Sequence, residues 1–146
     1  MDYKRKGFTL IELLIVMAVV AILVAIIIPS YRGMQNEAWI AQAEKEVQTL
    51  QTAIESYYRH NDVYPVDITT TIQNAKPTIV NMELKDPWKT SGTTYGYETG
   101  SLAGFGDYYV VYSQSINNAK EWQIIGNEIR VSGDDIVLSN LPVIKQ

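Results

Sequence analysis

The sequence predicts an α+β protein in which a long N-terminal hydrophobic α-helix carries a small antiparallel β-sheet on its C-terminal half. Three observations predict this class: an unbroken apolar stretch that ends before Pro29, an amphipathic stripe that follows it, and a C-terminal half rich in strand and turn signals. We place a short leader at 1–7, the apolar spine at 8–35, and the amphipathic half-helix with its α+β head at 36–146.

The N-terminus combines a basic segment with an apolar helix. Basic residues 4–6 precede Gly7, and every residue from 13 to 28 is apolar. A helix over 8–28 would rise about 30 Å, the thickness of the hydrocarbon core of a bilayer. Basic residues beside a span tend to stay cytoplasmic, so we expect a single pass with the N-terminus inside and the head outside. A cleaved secretory signal and an uncleaved anchor are alternatives.

Glu12 is the carboxylate inside the predicted span. A carboxylate deep in hydrocarbon costs roughly 2.5–3.5 kcal/mol on insertion scales and less near a helix end, so a tolerated interfacial glutamate is one interpretation. In the other, the partner of Glu12 comes from another molecule. A cut after Gly7 would create an amino group at Phe8, one helical turn away. In a bundle of parallel, staggered copies, Glu12 of one chain would meet Phe8 of the next.

The run from Lys6 to Leu13, Lys-Gly-Phe-Thr-Leu-Ile-Glu-Leu, resembles the class III leader of type IV pilins and type II secretion pseudopilins. The resemblance implies that a prepilin peptidase cuts between Gly7 and Phe8 and methylates Phe8, and that Glu12 is needed for entry into the filament. Proline inside a helix predicts a kink, and in this family the residue matching Pro29 marks where the helix bends or unwinds.

The same resemblance implies partners and location. The partners would be copies of this chain in a helical filament, prepilin peptidase, an inner-membrane assembly platform, minor pilins or pseudopilins, and membrane lipid before assembly. The chain would start in the inner, cytoplasmic membrane and end in an extracytoplasmic filament. Head-to-tail packing suits this, because an interface that does not close on itself propagates.

An amphipathic stripe continues the helix beyond the span. Its apolar positions are spaced 3, 4, 3, 4 and 3 residues apart, at Ile40, Ala43, Val47, Leu50, Ile54 and Tyr57. We expect this stripe to cover a sheet, because its length gives only about two and a half heptads for a coiled coil. Residues 60–62 and then Pro65 are stop signals, and His60 is interpreted as a solvated helix end.

Residues 65–92 have little periodicity, and we expect a loop with one short helix or strand near 79–84. Asp86-Pro87-Trp88 followed by Tyr95-Gly96-Tyr97 is similar to a segment of the major pseudopilin of type II secretion, with Lys89 where that family has glycine. Pro87 would set a turn and Trp88 would anchor it in the core. We therefore interpret Trp88, Tyr95 and Tyr97 as structural.

Strand and turn signals fill the C-terminal half. Aromatic and β-branched runs predict strands at 95–99, 107–113, 121–125, 128–131 and 136–138. Gly126-Asn127 predicts a two-residue hairpin, and Gly133-Asp134-Asp135 predicts another turn.

Composition excludes several classes of function. Without residues 1–7 the chain carries 9 basic and 15 acidic side chains, a charge of −6, so no attraction for nucleic acid is expected. The absence of cysteine excludes disulfides and thiolate metal sites. It also disfavours those type IV pilins that close a C-terminal loop with a disulfide. No catalytic motif is present, so we expect no enzyme.

Asp107, Asp134 and Asp135 are candidate calcium ligands, because aspartates with backbone carbonyls are what calcium prefers. Turn chemistry is a simpler explanation of Gly-Asp-Asp, and it is the one we prefer. Major pseudopilins carry calcium in their C-terminal loop, so calcium is the alternative to our expectation of no metal and no cofactor.

The sequence therefore predicts a structural subunit of a type IV pilus-like filament, first of all a major pseudopilin of type II secretion. The alternatives are a type IV pilin, a competence pseudopilin for DNA uptake, and a single-span membrane-anchored binding domain.

Overall fold

The computed structural model describes residues 7–69, 84–89, 94–115, 117 and 119–145. Its elements are α1 (Leu10–Asn61), β1 (Gly96–Leu102), β2 (Gly106–Ser113), β3 (Trp122–Ile125), β4 (Glu128–Val131), β5 (Ile136–Ser139) and β6 (Val143–Lys145). The chain divides into two compact units, Met1–Ala38 and Trp39–Gln146. The predicted α+β class, a long N-terminal apolar helix with small antiparallel pairing, is confirmed.

In the N-terminal unit, α1 begins at Leu10 and continues through Pro29. Every large apolar side chain from 13 to 28 is at least 44% exposed. By length and composition this helix is apolar enough to cross a membrane, with a mean hydropathy of 3.3 over its most apolar window. A helix that is apolar on all sides needs a cover of lipid or of other chains.

The C-terminal unit, called the head from here on, has three layers. The first sheet, in the order β1-β2-β5, packs one face on the C-terminal part of α1 and the other on the second sheet, in the order β3-β4-β6. Central strand β2 directs Tyr109 and Val111 to the helix and Val110 to the second sheet. Because both faces are covered, these three consecutive residues are all buried, as in strands that lie between two layers.

One edge of the head differs from the predicted antiparallel arrangement. The pairs β1–β2, β2–β5 and β3–β4 are antiparallel, whereas β4 and β6 pair in parallel, with Ile129 opposite Val143. The sequence predicted one small antiparallel sheet, whereas the head contains two sheets and an additional strand, β6. The physical reason is that β6 follows β5 of the first sheet, so no hairpin turn sets its direction relative to β4.

The amphipathic stripe of α1 covers the first sheet as predicted. Its buried members are Ala43, Val47, Leu50, Ala53 and Ile54. Ile40 is exposed at the edge of this contact, and Ala53 is a buried position that the predicted spacing did not include. The stripe shares one core with side chains of β2 and β5.

The predicted ends and turns agree with the structure where it describes them. Asp62, just after the end of α1, has a left-handed φ of 55°, and its N–H donates to Tyr58 O over 2.8 Å, an ordinary helix stop. Gly126 has a φ of 63° in the two-residue β3–β4 hairpin. The short element expected near 79–84 lies outside the described residues except for Leu84, and most of the leader at 1–7 lies outside them too.

Two carboxylates on α1 accept hydrogen bonds from phenols of the head. Tyr95 donates to Glu46 Oε2 and Tyr109 donates to Glu55 Oε1, each over 2.8 Å. Burial and the bonded carboxylate raise the pKa of both phenols. These bonds complement the apolar contact, because they join the helix layer to the first sheet at two separate levels.

We predict that Tyr109→Phe lowers the free energy of unfolding by about 1–3 kcal/mol, because it removes a hydrogen bond to a charged group while keeping the ring. Tyr108→Phe is the matched control, since Tyr108 lies on the opposite face of β2. Urea unfolding of the full chain in detergent, followed by circular dichroism, measures both. Equal stability of the two variants would contradict the role given to the Tyr109 bond.

Alkaline pH should destabilise the head. Burial raises the pKa of Tyr97 to about 12, and burial with the nearby Glu55 carboxylate raises the pKa of Tyr64 to about 12, from 10.0. An unfolded chain ionises these phenols first, so the stability they contribute is fully present below pH 10 and is lost as pH rises through 12. The thermal midpoint, measured from pH 8 to 12, should stay constant up to about pH 10 and then fall. The fall should be smaller in the double variant Tyr64→Phe/Tyr97→Phe.

Candidate functional site

The start of α1 is closed by a reciprocal pair of side chains. Thr9 N–H and Thr9 Oγ1–H donate to Glu12 Oε2 over 2.9 and 2.7 Å, and Glu12 N–H donates to Thr9 Oγ1 over 3.3 Å. Leu13 N–H donates to Thr9 O over 3.3 Å, which makes Thr9 the N-cap residue. This is the capping box, in which Thr at the N-cap and Glu three residues later satisfy each other's backbone donors.

The capping box changes what is expected of Glu12 at the membrane. Both Thr9 donors go to Oε2, and among the described residues Oε1 accepts no hydrogen bond. Glu12 is therefore held in place by Thr9 with one oxygen open to a donor from outside. The sequence pattern Thr-x-x-Glu before an apolar run predicts a capping box. The role of Thr9 could therefore be predicted from the sequence, although the resemblance implies a role only for Glu12.

Gly7 and Phe8 stand free in front of the helix. Phe8 is 88% exposed, and a Cβ added at Gly7 would meet no atom within 4 Å. Packing among the residues that the structure describes therefore gives no reason for glycine at position 7. A requirement for it would come from another molecule.

The structure brings the predicted structural residues of the head to one core. Trp88 and Tyr97 pack against the cluster that also buries Tyr95, and Tyr97 donates to Pro65 O over 2.8 Å. Buried Asp86 holds the turn by accepting hydrogen bonds from Ser113 Oγ over 2.9 Å and Trp88 N over 3.2 Å. Tyr95 also donates, to Glu46 Oε2, whereas the buried Trp88 Nε1 has no hydrogen-bond partner among the described residues.

An acidic cluster forms where the β3–β4 hairpin meets the turn before β5. Each of Glu121, Asp134 and Asp135 places one carboxylate oxygen within 4.8 Å of those of the other two. Asp107, the third predicted calcium candidate, is not among them. Asp107 lies at the start of β2, opposite Ser101, whereas Ser113 at the other end of β2 pairs with the start of β5. Six strand residues, about 20 Å, separate the two places.

Asp135 is the unusual member of the acidic cluster. Asp135 has no exposed surface. Its Oδ2 accepts a hydrogen bond from Glu121 N–H over 2.8 Å, and its Oδ1 has no hydrogen-bond partner among the described residues. Burial raises the pKa of Asp135, and the charges of Glu121, Asp134 and Asp86 raise it further. Hydrogen bonds that stabilise the ionised carboxylate only partly oppose this.

Calcium, the alternative to the expectation of no metal, can be compared with these residues. Three carboxylates supply the hard oxygen donors that calcium prefers. An orphaned oxygen on a buried carboxylate is the feature that a cation would satisfy. Asp134, Asp135 and Glu121 therefore fit the ion, with Glu121 in the place given to Asp107 in the prediction.

Comparison with known proteins identifies the N-terminal segment. The family model for the prokaryotic N-terminal methylation motif matches residues 2–28. The chain is 45% identical over 65 residues to fimbrial protein EcpB of Eikenella corrodens, covering 44% of this chain and 41% of the relative. It is 37% identical over 70 residues to type IV major pilin protein PilE of Neisseria gonorrhoeae, covering 48% and 42%.

A fimbrial protein of Pseudomonas aeruginosa is 50% identical over 52 residues, covering 36% of this chain and 34% of the relative. The chain thus spans less than half the length of the curated relatives it matches. No solved structure matches it. The relatives are named as fimbrial proteins and as a type IV major pilin, and the similarity to each covers 52–70 residues of this chain.

We predict that Thr9→Val opens the first turn of α1, because valine keeps the branched shape but lacks the capping oxygen. Loss of an N-cap costs about 1 kcal/mol, so the Glu12 amide should exchange with solvent about fivefold faster in detergent micelles, as read by NMR. Thr9→Ser should behave like the parent chain. Thr49→Val is the control, since Thr49 Oγ1 bonds Lys45 O inside the helix. Unchanged exchange at Glu12 would contradict the capping role.

Proposed function

We propose that this chain is a type IV pilin-like protein and a structural subunit of a type IV pilus-like filament. The observation that carries the proposal is the N-terminal segment as a whole. This segment combines three features. The peptide bond between Gly7 and Phe8 is accessible, Glu12 Oε1 accepts no hydrogen bond among the described residues, and the apolar side chains of the helix are exposed.

Exposure of the apolar helix is the reason for assembly. Large apolar side chains from 13 to 28 are exposed in the described part of the chain, and burying one such side chain is worth about 1.5–3 kcal/mol. Lipid provides the cover first, and neighbouring copies of the helix provide it in the filament. Copies of the chain then repeat along the filament axis, because head-to-tail contacts that do not form a closed ring continue indefinitely.

Processing supplies the polar partner of Glu12. Prepilin peptidase would cut between Gly7 and Phe8 and methylate the new N-terminus. The cut leaves the Thr9 amide and hydroxyl in place, so the capping box survives it. Glu12 then keeps Thr9 on Oε2 and offers Oε1 to the Phe8 ammonium of the neighbouring copy. A charge-assisted bond of this kind in a water-poor interior would set the axial register.

The names of the relatives reported above, which are pilin and fimbrial names, favour a pilus subunit over a subunit of a secretion filament. The finer alternative, a major pseudopilin of type II secretion, is supported by Asp86-Pro87-Trp88 and by Tyr95 with Tyr97. A competence pseudopilin shares the same N-terminal physics. In each case the partners are copies of the chain, prepilin peptidase, minor subunits and an inner-membrane platform, with the head outside.

We expect Glu12→Ala to be inserted and cut normally but to form no filaments, because the register contact is missing. Glu37→Ala is the matched control, since Glu37 is another exposed acid on the same helix. Electron microscopy of sheared filaments and mass spectrometry of the mature chain measure the two steps. Normal filaments from Glu12→Ala would overturn the register contact.

The same measurement tests processing at Gly7. Gly7→Ala should slow or block cutting, whereas Gly33→Ala should not, although an added Cβ meets open space at both positions. The parent chain should show a mature mass that begins at methylated Phe8. A chain that begins elsewhere would support a membrane-anchored binding domain instead.

A further inference from the structure

Tyr31 and Arg32 stand just beyond the apolar run of α1, and we call them the outer pair. Both side chains are exposed, Tyr31 at 57%. Among the residues that the structure describes, neither side chain has a hydrogen bond, an ion pair or a ring contact. Because α1 continues through Pro29, the outer pair stays on the same helix as the apolar run. Its polar groups are therefore open to another molecule.

The charge of Arg32 has no acidic neighbour along the helix. Side chains three and four residues apart are neighbours on a helix. Around Arg32 these positions hold Ile28, Pro29, Gln35 and Asn36. The next acid along the chain is Glu37, which lies about 140° around the helix from Arg32. An ion pair within the helix is therefore not the use of this arginine.

The depth of the outer pair matches that of lipid headgroups when residues 8–28 span a bilayer. The hydrocarbon core is about 30 Å thick, and the headgroup layer adds roughly 5–8 Å on each side. Arg32 is four residues beyond Ile28, which is about 6 Å along the axis. Helical side chains lean toward the N-terminus, so the guanidinium leans back toward the bilayer while its aliphatic stem follows the apolar run.

Phospholipid headgroups fit the chemistry of both side chains. A guanidinium is planar and donates two parallel hydrogen bonds to phosphate oxygens. Tyrosine is favoured at the boundary between membrane and water, because its ring is apolar and its hydroxyl is polar. The outer pair also adjoins the exposed apolar surface of residues 13–28, which lipid covers before assembly. Lipid that covers this surface brings its phosphates to the level of Arg32.

We propose that Tyr31 and Arg32 bind phospholipid headgroups at the outer surface of the membrane, with the Arg32 guanidinium on a phosphate, and that this contact fixes the depth of the unassembled span. The inference rests on the membrane stage of the proposed function and needs no filament. Anionic headgroups suit the outer pair best, because they carry no positive group that competes for the phosphate.

The contact with phosphate is tested on the full chain in vesicles of phosphatidylcholine and phosphatidylglycerol, in a buffer without phosphate. The chain has four arginines, at 5, 32, 59 and 130, and Arg5→Lys removes the other one that adjoins the predicted span. In solid-state NMR of this variant with 13Cζ-labelled arginine, lipid 31P should dephase about one third of the signal, the share of Arg32.

Two further substitutions in the same background assign that signal. Arg32→Gln should abolish the dephasing. Arg59→Gln, which removes another exposed arginine of α1, should leave the amount of dephased signal unchanged. Equal dephasing with and without Arg32, or none in the Arg5→Lys chain, would overturn the contact between Arg32 and phosphate.

The depth of the span is measured with a spin label at position 33. The chain has no cysteine, and a Cβ at Gly33 meets no atom within 4 Å, so Gly33→Cys accepts the label. Adding Tyr31→Ala and Arg32→Ala should let the label shift inward by about 5 Å, one helical turn, as read from its collisions with oxygen and a nickel chelate. Asn36→Ala should not move it. An unchanged depth would overturn the anchoring role.

Amide exchange in the same vesicles separates this proposal from the membrane span itself. Protected amides at residues 13–28 without dephasing at Arg32 would show that the chain spans the bilayer and that the headgroup contact is wrong. Rapid exchange at residues 13–28 would overturn the span, and the outer pair with it.

Discussion

The apolar surface of α1 determines which surroundings this protein needs. Between residues 13 and 28 it is hydrophobic on every side, and none of the other residues that the structure describes covers it. Water is a poor surrounding for such a helix, so its surroundings are either lipid or copies of itself. The one acid near its start is compatible with both, because Thr9 already satisfies one oxygen of Glu12. A helix built in this way can pass from a membrane to a filament without leaving its carboxylate bare.

The head builds its own core separately. Helix, first sheet and second sheet are stacked so that β2 is buried on both sides. Where edge strand β1 carries glycine, a tyrosine of β2 fills the space: a Cβ at Gly96 would lie 2.3 Å from the ring of Tyr112. Cross-strand pairs of this kind stabilise sheets that would otherwise have a gap. The small size of the head makes such contacts count, since a small core leaves little stability to spare.

Most carboxylates with structural roles have found hydroxyl or amide donors. Thr9 donates a hydrogen bond to Glu12, Tyr95 and Tyr109 donate to Glu46 and Glu55, and Ser113 donates to Asp86. This is how an acidic chain keeps acids close to its core, because hydrogen bonds to ionised groups offset part of the desolvation. Asp135 departs from the pattern, with one oxygen bonded and the other orphaned among three neighbouring acids.

The sequence by itself determined the local features of this protein. An apolar run, a stripe of period 3.6, Gly126-Asn127 and the stop at 60–62 are each decided by neighbours in the chain, and the structure agrees with them. The capping box was equally local and readable. Tertiary structure alone decided the second sheet, the parallel edge at β6 and the fact that Glu121, and not Asp107, lies beside Asp134 and Asp135. These depend on which strands cross between layers, and pairings between distant residues are not encoded by period or turn chemistry.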